Sequence, residues 1–101
     1  MNILFICNQN KHRSKTAEEI FRTQFNTRSA GLYNEHPVNQ KQIAWADMIV
    51  VMEDAQRTEL AQRFPQLYLK KRIVSLDIPD IYFRGQPELI AELNSKIARF
   101  L

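Results

Sequence analysis

Cys7, Arg13 and Ser14 stand in the arrangement Cys-x5-Arg-Ser, with Asn8, Gln9, Asn10, Lys11 and His12 between the thiol and the guanidinium. Each type has a use in that order. A thiolate is a strong nucleophile, and a guanidinium presents a planar fork of donors that matches two phosphate oxygens. The intervening loop is long enough to curve its backbone N–H groups around a tetrahedral anion. The apolar run Ile3-Leu4-Phe5-Ile6 precedes Cys7, and Lys15 to Phe21 reads as the start of an amphipathic helix. The chain's single cysteine therefore sits where a buried strand hands over to a helix N-terminus, a place that favours both a thiolate and an oxyanion. A lone cysteine after an apolar run is ordinarily a small buried hydrophobe. What sets Cys7 apart is the fixed spacing to Arg13-Ser14, combined with the strand before and the helix after.

A phosphate monoester suits these groups. Cys7 can attack phosphorus, Arg13 can hold the equatorial oxygens, and Ser14 can donate a hydrogen bond to the thiolate. Lys11, His12, Arg13 and Lys15 surround the anion position and can focus a field on a dianion. The leaving oxygen then needs a proton, for which Asp80 and Asp77 are the candidates. His12 and His36 are isolated, and no His, Cys or carboxylate cluster has metal-ligand spacing. No glycine-rich nucleotide loop is present. Neither a metal nor a cofactor is expected.

The elements that must position these residues follow in order. Asn2–Cys7 reads as a strand buried on both faces. Ser14 can cap the next helix, whose Ala17, Ile20, Phe21 and Phe25 share one face, and Asn26 and Thr27 are expected to end it. Residues 28–31 form a brief strand, with Gly31 free to take positive φ in the turn beyond. A polar loop with Pro37 leads to a short helix within residues 39–47. Met48-Ile49-Val50-Val51-Met52 is the second buried strand. A helix then runs from Asp54, with Leu60, Ala61 and Phe64 inward, and Pro65 is expected to end it. Residues 72–76 are the next strand, and 77–82 a loop. Pro87 opens a last helix with the apolar stripe Leu89, Ile90, Leu93, Ile97, Phe100 and Leu101. Strands alternating with helices predict an α/β fold, a parallel sheet with helices on both faces. Ligands bind such sheets beyond the carboxyl ends of the strands, where the end of the first strand and the loop after the last can meet.

The 101 residues suit one domain over 1–101, with 45% hydrophobic and 25% charged positions and a net charge of +3. That mild excess falls short of a nucleic-acid footprint. Lys70-Lys71-Arg72, the densest basic run, is expected to be a solvated turn. A single cysteine excludes an internal disulfide and suits a reducing compartment. With no signal-peptide pattern and no apolar run near the ~20 residues of a membrane span, a cytoplasmic location and no membrane partner are expected. Oligomeric state is not legible.

The segment Cys7–Ser14 resembles the C-x5-R-S signature of the low-molecular-weight protein tyrosine phosphatases. Asn10 matches the loop asparagine, Thr16-Ala17-Glu18 is similar to the opening helix, and Ser29-Ala30-Gly31 matches the S-A-G turn. Ala46-Asp47 through Met52 resembles the central strand, and Pro79-Asp80-Ile81-Tyr82 resembles the D-P-Y segment. The resemblance implies a four-stranded parallel sheet with the phosphatase loop between the first strand and first helix, and catalysis without a metal. It implies that Cys7 becomes a phosphocysteine, that Arg13 stabilises the transition state and that Asp80 is the acid and later the base. It also implies that Asn8, Gln9, Asn10, Lys11, His12 and Ser14 form the binding loop and that Tyr82 lines the cleft against an aryl ring. The chain departs from the pattern by a shorter stretch between Gly31 and Asp47. Gln9 stands in place of glycine, His12 in place of a second cysteine, Lys15 in place of proline and Ile81 in place of the D-P-Y proline.

Three functions fit these residues. The first is a phosphatase acting on phosphotyrosine in a phosphorylated protein, or on other small aryl phosphates. The second is an arsenate reductase coupled to a small external thiol; the thioredoxin-coupled form needs relay cysteines that this chain does not have. The third is a non-catalytic phosphate-binding module.

Overall fold

The computed structural model describes every residue from Met1 to Leu101. Strand β1 (Asn2–Cys7) is buried from Ile3 to Cys7 because it has a strand on either side. Strand β2 (Asn26–Gly31) pairs with one edge, and β3 (Met48–Val51) with the other. Strand β4 (Arg72–Ser75) adds outside β3, giving a four-stranded sheet in the order β2-β1-β3-β4 with every pair parallel. The order reverses direction between β1 and β3, so the crevice for a ligand opens at the ends of those two strands.

Alternation along the strands assigns each residue to a face. Ile3, Phe5, Cys7, Met48, Val50, Met52 and Val74 pack on the side covered by α1 (Arg13–Phe21) and α5 (Pro87–Ile97), which contribute Ala17, Phe21, Leu89, Leu93 and Ile97. Leu4, Ile6, Ala30, Ile49 and Val51 pack on the opposite side with Ile43 of α2 (Gln40–Trp45) and Leu60 of α3 (Asp54–Arg63). Helix α4 (Pro65–Lys70) closes that layer, with Leu67 and Tyr68 against the core. The expected parallel sheet with helices on both faces is therefore present. No helix is long and apolar enough to cross a membrane.

Several local expectations are corrected. Helix α1 stops at Phe21, and Asn26 and Thr27 belong to β2 rather than to the helix end. The six-residue register with β1, from Asn2↔Asn26 to Cys7↔Gly31, draws them into the sheet. Ser14 does not cap α1; His12 is at the N-cap position without a side-chain bond, and Ser14 is the second residue of the helix. Pro65 ends α3 but also opens α4, since a first-turn proline surrenders only a donor that has no helical partner. Gly31 does not adopt positive φ. Its need is space, because a Cβ there would sit 2.9 Å from Asn34 Cγ. The basic run is exposed at Lys70 and Arg72, as expected of a solvated turn, but two of its side chains are also bonded: Lys71 Nζ donates to the carbonyls of Ala44 and Ala46, and Arg72 to that of Phe100.

Leu93 is fully buried between α5 and the sheet. Leu93→Ala is expected to lower the unfolding free energy by about 2–5 kcal/mol in urea denaturation. A loss below about 1 kcal/mol would contradict this packing.

Candidate active site

The phosphate loop begins where β1 ends. Leu32 N–H donates to the Cys7 carbonyl at 3.1 Å, and Tyr33 N–H to that of Asn8 at 2.9 Å, so the chain leaving β2 holds the loop's first residues. Asn10 then takes φ of 55°, a left-handed conformation that asparagine tolerates. The turn aims the Asn10 N–H at Cys7 Sγ, 3.2 Å away. Ser14 Oγ lies 2.9 Å from the same sulfur and 2.6 Å from Asn10 Oδ1. A hydroxyl has one proton. Given to Asn10 Oδ1, that proton leaves Ser14 Oγ as an acceptor toward the sulfur; given to the sulfur, it supports a thiolate. Cys7 is 3% exposed and is the chain's one free cysteine.

Arg13 is 1% exposed, although it carries a full charge. Its Nη1 donates to the Ile78 carbonyl at 2.8 Å and pairs with the Glu53 carboxylate. Its Nε lies 3.8 Å from Asp80 Oδ1. Nε and Nη2 make no hydrogen bond within the chain, which leaves a two-donor edge for an anion. Glu53 follows β3, and its own backbone N–H and that of Met52 are held by Gln56 Oε1. Gln56 also donates to Asn8 Oδ1 at 3.0 Å, which ties the first turn of α3 to the phosphate loop.

The acid-bearing loop enters from β4. Asp77 takes φ of 56°, and its carbonyl accepts from Lys96 Nζ. Ile78 N–H donates to the Met52 carbonyl at 2.8 Å, extending the sheet pairing past β4. These contacts bring Asp80 to the mouth of a cavity of about 150 Å³ lined by Cys7, Gln9, Lys11, His12, Arg13 and Asp80.

The expected site residues thus divide. Six of them line that cavity. Asn8, Asn10 and Ser14 lie beneath the loop, bonded to Gln56, to the sulfur or to one another. Asp77 is outside the lining, which leaves Asp80 as the carboxylate over Cys7. Tyr82 is half-buried against the α1/α5 core and does not line the cavity; Ile81 and Phe83 beside it are the exposed apolar side chains. The expectation that Tyr82 faces the cleft does not hold in this geometry. Glu53 and Gln56 were not singled out from the sequence. An acidic residue just past a buried strand, at the same end as Cys7, is the signal that marks Glu53. No three His, Cys, Asp or Glu side chains converge as a metal would require.

A cavity of this size beside an Arg13 edge without hydrogen bonds has room and donors for a tetrahedral anion. Inorganic phosphate at ~100 times its dissociation constant should stabilise the chain by about 2.7 kcal/mol, read as a rise in melting temperature. Cys7→Ser should keep the rise and Arg13→Met should lose it. An undiminished rise in Arg13→Met would contradict the site.

No family model matches the sequence, and no curated protein is similar to it in sequence. Solved structures do match. The YwlE arginine phosphatase from Geobacillus stearothermophilus superposes with a TM-score of 0.76 at 21% identity, over 97% of this chain and 88% of that one. A low-molecular-weight protein tyrosine phosphatase from T. tengcongensis gives 0.76 at 17% identity, over 97% and 93%. The tyrosine phosphatase Wzb from Escherichia coli K30, in complex with phosphate, gives 0.75 at 18% identity, over 97% and 94%. The chain has the fold of the low-molecular-weight protein tyrosine phosphatases, the family that its motifs resemble.

Proposed function

We infer that the chain is a cysteine-dependent phosphatase that hydrolyses aryl phosphate monoesters, phosphotyrosine among them, through a phosphocysteine. The observation that carries this reading is the meeting of Cys7, Arg13 and Asp80 in one phosphate-sized cavity. A binding module needs the guanidinium and the loop amides. It has no use for a buried thiol with two hydrogen-bonding partners facing a carboxylate. Solved neighbours in fold are described as phosphatases, which does not favour arsenate reduction.

The steps follow from the placement of each group. Substrate binds with its phosphoryl oxygens on the loop amides and on the Nε and Nη2 edge of Arg13. Cys7 Sγ attacks phosphorus in line, and the P–O bond to the aryl group breaks. Asp80, protonated, gives its proton to the leaving oxygen. Arg13 keeps its two donors on the equatorial oxygens as charge shifts toward them. The S–P bond is then cut by water, whose proton returns to the Asp80 carboxylate. Phosphate leaves and the Cys7 thiolate is restored.

Lys11 stands exposed at the cavity mouth. A cation there attracts a dianionic ester and opposes the guanidinium of a phosphoarginine, so the aryl ester is the favoured substrate. The purified protein is expected to hydrolyse an aryl phosphate in the presence of EDTA and, in separate assays without EDTA, to be inhibited by vanadate. Cys7→Ser should abolish turnover, and Asp80→Ala should lower kcat by about 10²–10⁴. Full activity in Cys7→Ser would overturn the mechanism.

A further inference from the structure

The loop that carries Asp80 has no helix or strand between Ser75 and Pro87, and its Ile81 and Phe83 side chains are 69% and 73% exposed. It is nevertheless anchored at both ends. At the entry, Ile78 is bonded to Met52 and Arg13, and Asp77 to Lys96. At the exit, Arg84 N–H donates to His12 Nδ1 at 3.1 Å, and Gly85 N–H to Thr16 Oγ1 at 3.0 Å. The Phe83 ring meets the His12 ring edge to face, with centroids 5.6 Å apart and planes at 87°. Between the anchors Asp80 has only its 3.8 Å approach to Arg13, and its side chain is 57% exposed. With no hydrogen bond of its own, the carboxylate takes its place from the two anchored ends of the loop and from Tyr82, which packs against the α1/α5 core.

We propose that His12 is a positioning residue whose Nδ1 latches the Asp80 loop to the phosphate loop, fixing the acid relative to the guanidinium next to it in the chain. The proposal rests on the reading of Asp80 as the general acid. His12 directly precedes Arg13, so one loop segment sets both the anion donor and the far anchor of the acid. Nδ1 accepts from Arg84, which places the neutral ring's proton on Nε2. Two other exit contacts act beside it. The Arg84–Glu19 pair is exposed and weak on general grounds. Thr16 Oγ1, which donates to the His12 backbone carbonyl at 2.7 Å, holds Gly85 one residue further from Asp80, so the imidazole is the side chain that fixes the backbone at Arg84.

A misplaced acid matters most when the leaving group is poor. Dinitrophenolate departs without a proton, whereas phenolate needs one. The value of kcat/KM reports steps up to the first phosphoryl transfer. Because His12 also lines the cavity, the ratio of the two esters carries the reading: His12→Leu is expected to lower kcat/KM for phenyl phosphate by about tenfold more than it lowers that for dinitrophenyl phosphate. His12→Asn presents an oxygen near the Nδ1 position and should restore most of the phenyl phosphate rate. Amide hydrogen exchange gives a second reading that needs no activity: the Arg84 amide should be protected in the wild type and in His12→Asn, and exchange faster in His12→Leu. An unchanged Arg84 exchange rate in His12→Leu overturns the latch. Faster exchange with equal losses on both esters overturns its role in placing the acid. A wild type that turns over no aryl phosphate overturns the proposed function instead, while the exchange measurement still decides the latch.

Discussion

A buried guanidinium organises this molecule. Arg13 is 1% exposed, and a cation so placed is costly unless its donors are met. The chain meets them from three separate segments: the Glu53 carboxylate after β3, the Ile78 carbonyl after β4, and Asp80 at a longer distance. Each partner lies beyond the end of a strand, so satisfying Arg13 requires the sheet to be in register and the loops to converge. The Nε and Nη2 edge, which makes no hydrogen bond within the chain and has Asp80 only at 3.8 Å, is the part of Arg13 left for an anion in the cavity over Cys7. The charge that makes the site chemically able is thus the same charge that holds its walls together.

The sheet makes this convergence economical. Parallel strands end at one rim, and the reversal of order between β1 and β3 leaves a crevice there. Cys7 comes from the end of β1, the Glu53 and Gln56 pair from the end of β3, and the acid loop from the end of β4. The register β1 to β3, Ile6↔Val51, brings the cysteine's strand level with the strand that supplies Glu53. The α1/α5 layer covers the face of the sheet that carries Phe5 and Cys7, where Phe21 stacks on Phe5, and Tyr82 of the acid loop packs against the same layer. Tyr82 thereby serves the core, while its neighbours Ile81 and Phe83 are exposed, Phe83 against the His12 ring.

Much of this was legible in the sequence because it is local. The apolar run before Cys7, the helix after Ser14 and the buried run from Met48 each carry their own periodicity, and the spacing from Cys7 to Arg13 is a property of one turn. The choice of Asp80 over Asp77 was open, since it depends on a left-handed Asp77 that reverses the loop. Gly31 was read through φ, whereas its constraint is the packed Asn34 side chain. Glu53 and Gln56 were hidden because their roles exist only when β3 lies beside β1. The bond from Arg84 to His12 joins residues 72 positions apart, and nothing in either neighbourhood announces it.

The central claim is a covalent bond between Cys7 Sγ and phosphorus. The most direct test is to quench Asp80→Ala in alkaline denaturant during turnover of dinitrophenyl phosphate, then locate the phosphoryl group by peptide mass spectrometry. That ester needs no acid to leave, while water attack on the intermediate lacks its base, so the phosphoenzyme should accumulate. The account predicts one phosphoryl group on Cys7. A phosphoryl group found on His12 or any other side chain, or turnover with no phosphorylated Cys7 at any time point, would contradict it.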